Sequence, residues 1–181
     1  MRQLLFKYRA VIQFLFTFLG SYLLFALLYH LYLENADSAV YYPDFMTHMV
    51  AAQSEAVIAT FGYLTHLSPT PNFPAMDIYI NGNLVSRIIE GCNSVSIIIL
   101  FVAFMLAFFG KLKPTLLFIF SGIVIIYAMN IVRIALLSIG IYELPQHAHF
   151  LHKIIFPLVI YGTVFILWII WISIYNKHSK R

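Results

Sequence analysis

One cysteine stands in the whole chain, at position 92, which excludes an intrachain disulfide framework, a cysteine-rich zinc site and an iron–sulfur cluster built from this polypeptide alone. Charge is scarce too. Only 10% of the 181 residues are charged and seven are acidic, where about a quarter is usual in a soluble domain. Internal repeats and low-complexity segments are also missing. With 62% hydrophobic residues and a mean hydropathy of +0.88, the chain is neither disordered nor fibrous. Nor does it read as a nucleic-acid module, in spite of a pI near 9.2. It reads as a membrane protein.

Four apolar stretches, 10–33, 93–109, 114–142 and 154–175, approach or exceed the roughly 20 residues a helix needs to cross a bilayer. The first follows Arg2, Lys7 and Arg9, as a signal peptide would. It is too long for that and lacks a small-x-small cleavage site, so it is expected to remain as a helix. Under a four-span arrangement, eight of the eleven basic residues (Arg2, Lys7, Arg9, Lys111, Lys113, Lys177, Lys180, Arg181) share one side. The acids Glu34, Asp37, Asp44, Glu55, Asp77, Glu90 and Glu143 share the other. Basic flanks stay cytoplasmic, so both termini are expected inside and the long loops outside. Arg87, Arg133 and Lys153 stand apart from this rule.

The expected architecture is a single all-α polytopic membrane domain over 1–181, with about four transmembrane helices and an extracytoplasmic cap inserted at about 34–91. Within the cap, Phe45, Met49, Ala52, Ala56, Ala59, Tyr63 and Leu67 recur at helical spacing. They predict an amphipathic surface helix from Pro43 to about Leu67. Ser68 to Pro74 is too proline-rich to continue it and reads as a turn or extended connector. The Asn81-Gly82 step between β-prone residues predicts a hairpin leading into Glu90-Gly91-Cys92.

Three kinds of residue carry possible chemistry near the outer face. Cys92 opens the second span, where a helix N-terminus favours a thiolate, although a lone cysteine is also a common small core residue. Arg133 lies inside the third span, where a guanidinium costs at least a few kcal/mol unless it faces a polar interior or a partner. Glu90 or Glu143 would serve as a structural partner; a functional pocket is the other reading. Asn130, three residues earlier on the same face, can bond Arg133 or a substrate backbone. His147, His149 and His152 open the last span and can shuttle protons or bind zinc, copper or haem; any one of them could instead be an interfacial anchor. Together, Cys, His and Arg supply a nucleophile, a proton carrier and an oxyanion partner for acyl transfer.

Glu90-Gly91-Cys92-Asn93-Ser94, Asn130-Ile131-Val132-Arg133-Ile134 and a histidine at the head of the last span resemble the exosortase and archaeosortase family, whose steps are E-x-C-[SN], N-x-x-R-I and H-x(6 or 7)-F. Small size, the Asn-Gly step and the histidine-rich third motif look most like the compact exosortase F type. The resemblance implies a cysteine transpeptidase or protease in the bacterial cytoplasmic membrane. Such an enzyme cleaves a C-terminal sorting signal of secreted proteins and can transfer the new C-terminus to a cell-envelope acceptor. It implies Cys92 as nucleophile, Arg133 as the essential arginine and His149 as the histidine, with Phe156 seven residues on. Val95 replaces the small residue that often follows the cysteine step, and Lys153 replaces a glycine common after the histidine. The histidine therefore stays open among His149, His152 and His147. Glu90, Asn93 and Asn130 are expected to bind substrate or support the site. No cofactor, metal or nucleic acid is implied. The alternatives are a haem- or metal-binding membrane subunit using His147, His149 and His152, and a non-catalytic envelope assembly factor.

Overall fold

The computed structural model describes residues 8–36 and 40–179, with side chains through position 175. Arg2, Lys7, Asp37, Lys180 and Arg181, used above to argue sidedness, lie outside the described residues. Two helices carry long apolar sequences, α1 (Arg9–Glu34) and α4 (Leu112–Glu143), and a third helical path runs from Pro145 to Tyr175. All three are long and apolar enough to span a membrane. Most of the last path is α5 (Phe156–Ser179). The expected second span is shorter than predicted. Its helix, α3, covers only Val95–Ala107, about 20 Å at 1.5 Å per residue. A 3₁₀ turn at Glu90–Cys92 and a left-handed Ser94 delay its start, and Phe108 ends it before Gly110 and Lys111.

Helix α3 runs antiparallel to α1 and α4 and parallel to α5. Phe14, early in α1, packs against Phe104 and Phe108 late in α3, while Tyr29, late in α1, bonds Asn93 just before α3. Phe104 stacks on Trp168 at 4.3 Å, and Trp171 Nε1 donates to the Phe108 carbonyl, which pairs the end of α3 with the end of α5. Phe101 fills the space over Gly122 of α4. An added Cβ there would collide with a fully buried ring that has nowhere to go. Gly122→Ala is therefore expected to cost about 1–3 kcal/mol by overpacking, measured as a fall in the detergent unfolding temperature.

The cap sits on the outer third of α4. Its helix, α2 (Phe45–Thr60), begins where the buried Asp44 carboxylate accepts the Thr47 N–H, a side-chain N-cap. It ends seven residues earlier than expected, because Gly62 takes φ +88° and the following residues form a strand. The buried face is also not the expected one. Thr47, Val50, Ala51, Ser54 and Ile58 pack inward, while Phe45, Ala56 and Ala59 are exposed. Apolar spacing marked the outer face because the inner one includes two hydroxyl residues. Strand β1 (Thr65–Pro69) lies in the segment read partly as helix and partly as connector; β2 (Ala75–Ile80) and β3 (Asn83–Ile89) follow. The strands form one antiparallel sheet in the order β1-β2-β3, with Asn81 and Gly82 both at positive φ between β2 and β3.

Met76, Ile78 and Ile80 of the sheet, Val50 and Ile58 of α2, and Ile134 and Leu137 of α4 share one core. Polar bonds fasten its rim: Ser86 to Ser138 at 2.7 Å, Tyr63 to Glu143 at 2.8 Å and Asn81 to Tyr142 at 3.0 Å. Arg87, one of the three basic residues outside the sidedness rule, is held by Asp77 through Nε at 2.7 Å and Nη2 at 3.2 Å. Burial alone would raise the Asp77 pKa, but the Arg87 hydrogen bonds hold it below its ordinary value of 3.8. A depressed folded pKa stabilises above the unfolded one, so this contribution is present at neutral pH and lost as pH falls through and below the ordinary carboxylate range. Hydrogen exchange of β2 and β3 should accelerate at pH 3 relative to pH 5, beyond its intrinsic pH dependence, and Asp77→Asn should remove that extra response.

Candidate active site

Cys92 belongs to the 3₁₀ turn between β3 and α3, half-buried against the cap core. It is not on the first turn of the helix, as the sequence suggested, but two residues ahead of the Ser94 cap. Its backbone is fixed from both sides. Asn130 Nδ2 donates to the Cys92 carbonyl at 2.8 Å, and the Asn130 side chain is spent on that bond rather than on Arg133. On the other side, Asn93 is buried and uses both ends of its amide. Nδ2 donates to the Tyr29 hydroxyl at 2.6 Å and to Thr47 Oγ1 at 3.1 Å, while Oδ1 accepts the Val95 N–H at 3.0 Å. Asn93 thereby joins α1, α2 and the start of α3 directly beside the cysteine. Ser94 holds φ +65°, strained for a residue with a Cβ, and its hydroxyl donates to the Asn93 carbonyl at 2.6 Å.

Arg133 lies three residues further along α4 than Asn130, the residue that holds the Cys92 carbonyl. Its Cζ lies 3.9 Å from the centre of the Phe156 ring. Its Nε is buried with no hydrogen-bond partner. The carboxylates considered as structural partners do not pair with it: Glu143 accepts from Tyr63, and the ion pairs among the described residues are His30–Glu34 and Arg87–Asp77. An apolar cavity of about 250 Å³ opens beside Arg133, between α4 and α5, walled by Val132, Leu136, Leu151, Ile155 and Val159. An arginine with a free donor facing a greasy cleft is placed to receive an acceptor, such as a carbonyl or oxyanion.

His147, His149 and His152 are all exposed. The His152 ring lies 5.6 Å from Phe156, the same ring that Arg133 covers, while His149 has no side-chain hydrogen bond or ring contact among the described residues. A π-turn at Leu151–Ile155 carries His152 and begins two residues after His149. Among the described residues no group of three His, Cys, Asp or Glu gathers as a metal site, so the three imidazoles do not converge. No hydrogen bond or ion pair among the described residues joins the Cys92 sulfur to Arg133 or to any of these histidines. Glu90 is exposed and lines a separate cavity of about 160 Å³ with Tyr22, Tyr29, His30, Leu33 and Ser96.

The model of the transmembrane exosortase family (Exosortase_EpsH) matches residues 4–173, nearly the whole chain. The chain belongs to that family. No curated protein and no solved structure matches it. Within this exosortase, the residues that sequence reasoning missed are Tyr29 and Thr47, the partners of Asn93. Tyr29 sits in an apolar span near its outer end, where tyrosines are common as interface anchors, and nothing local distinguishes it. Thr47 lies on the helix face that the apolar periodicity did not select. As a multi-pass membrane protein of this family, the chain presents its one thiol where the bundle meets the cap.

Proposed function

We propose that this exosortase is a cysteine transpeptidase or protease acting on secreted proteins that carry a C-terminal sorting signal, with the small size and histidine-rich motif of the exosortase F type. The observation that carries the reading is the Asn130 bond to the Cys92 carbonyl, which ties the cysteine to the stretch of α4 that bears Arg133, whose buried Nε has no acceptor. The Cys92 thiolate attacks the scissile carbonyl, and Arg133 receives the developing negative charge through its free Nε. Collapse of the tetrahedral species breaks the C–N bond, leaves a thioester on Cys92 and releases the signal as an amine that takes up a proton. An envelope acceptor, or water, then attacks the thioester and restores the thiol. Glu90 faces the α1–α3 cavity and is free to meet the substrate.

Sidedness follows from the same reading. The packing of α3 antiparallel to α1 and α4, and parallel to α5, supports a fourth, short crossing that puts Lys111 and Lys113 opposite the cap. Both termini then lie in the cytoplasm and Cys92 at the outer face of the bacterial cytoplasmic membrane.

The proton carrier we assign is His152, because its ring shares Phe156 with Arg133, although the spacing to Phe156 had favoured His149. His152→Ala is expected to slow processing by about 10²–10⁴-fold, the usual worth of a general acid–base group, and His149→Ala by far less. The check is the ratio of uncut to cut secreted substrate in cells producing each variant. The reverse ranking would return the role to His149, and normal processing by both variants would remove histidine from the mechanism.

A further inference from the structure

The sheet has two edges, and they are not equivalent. Strand β1 ends in Pro69, which cannot donate to another strand. Strand β3 has no proline, no lysine and no bulky charge free to discourage pairing, since Arg87 is committed to Asp77; its Leu84 and Ile89 are exposed. Native proteins blunt or cover such an edge unless it is used.

The backbone register says which groups are on offer. Ala75 gives its carbonyl to the Thr70 N–H on the β1 side. In the alternating antiparallel pattern, Ala75 and Ile89 are then a non-hydrogen-bonded pair, so Ile89 turns its N–H and carbonyl away from β2. Arg87, two residues earlier, does the same opposite Asp77. Among the described residues no hydrogen bond is recorded to the outward groups of Arg87 or Ile89. From Ile89 the chain reaches Cys92 through the three-residue 3₁₀ turn, about 6 Å at about 2.0 Å per residue.

We infer that the outer edge of β3 captures an extended segment of the sorting substrate as a fourth strand, delivering its scissile bond to Cys92. This rests on the proposed function and deepens it. Main-chain pairing at Arg87 and Ile89 supplies affinity with little demand on side-chain identity, as in other cases of strand addition. Such binding suits an enzyme that must accept many secreted proteins at one sulfur.

The test uses the full chain in its host membrane, with one secreted protein bearing a short motif, an apolar helix and a basic end, tagged ahead of the motif. Ile89→Pro removes the outward N–H without touching the β2 ladder. It is expected to slow processing about tenfold at low substrate expression and much less at saturating expression, with the unfolding temperature unchanged. A second arm leaves β3 intact: a photoreactive amino acid at Leu84 or at His66, each with Cys92→Ala to hold the substrate. Crosslinks from Leu84 to residues beside the cleavage motif, and none from His66 on β1, support strand addition, and they decide the matter if Ile89→Pro does not fold. Processing by a folded Ile89→Pro equal to wild type, a defect that saturating substrate does not relieve, or crosslinks from His66 in place of Leu84 overturn it. Full processing by Cys92→Ala alone would instead overturn the cysteine mechanism, so the two failures are told apart.

Discussion

Cys92→Ala is expected to abolish substrate processing, by at least about 10³-fold, while the protein still inserts, accumulates and unfolds near its usual temperature. The size of the loss follows from covalent catalysis: removing the nucleophile removes the intermediate, not one interaction among several. No neighbour can replace it. The hydroxyl nearest in sequence, on Ser94, is buried and donates to the Asn93 carbonyl at 2.6 Å in a strained turn. Fold is spared because the half-buried thiol makes no side-chain hydrogen bond among the described residues, and the turn is held by Asn130 and Asn93 through other atoms. Immunoblots for uncut substrate, read beside the amount of enzyme in the membrane, separate lost chemistry from lost protein. Unimpaired processing would assign the nucleophile elsewhere.

Arg133→Met is expected to cost about 10²–10³-fold in processing, the scale of losing one donor to a developing oxyanion. Stability should move the other way. Arg133 brings a charge into an apolar wall, leaves Nε without an acceptor and gains one stacked ring in return. The ring contact is worth about 0.5–2 kcal/mol. Relief of the buried charge is worth a few. The balance favours methionine, so the variant should unfold at the same or a higher temperature. A structural arginine predicts the opposite pairing, with stability lost alongside activity. Arg133→Lys should rescue little, since a point charge on a flexible stem cannot keep the planar contact with Phe156 or place a donor where Nε lies.

The long spans were legible because hydrophobic length is a one-dimensional signal, and α1 and α4 begin and end within two residues of their expected bounds. Sequence spacing failed where structure depends on partners. Helix α2 buries Thr47 and Ser54 because Asn93 and the cap core meet them there, which no apolar count of α2 alone could reveal. Strand β1 exists because β2 pairs with it, and its own sequence, Thr65-His66-Leu67-Ser68-Pro69, carries little alternation. At the site, Cys92 and Arg133 were identified separately, and the structure links the cysteine turn to α4 through Asn130, one turn before Arg133. Asn130, expected to support the site or bind substrate, holds the Cys92 carbonyl, a partner that its spacing to Arg133 did not indicate. The π-turn at Leu151–Ile155, which carries His152, gave no signal in the apolar pattern.

The most direct test of covalent catalysis is to trap the intermediate. Purified enzyme in detergent is mixed with a tagged sorting substrate, quenched in acid within one turnover and digested, and the peptide containing Cys92 is weighed by mass spectrometry. The account predicts that this peptide carries the substrate residues ahead of the cleavage point through a hydroxylamine-labile thioester, and that Arg133→Met diminishes the adduct. Cleaved substrate accumulating in the same quench with Cys92 unmodified, or with an acyl group on another residue, would contradict it.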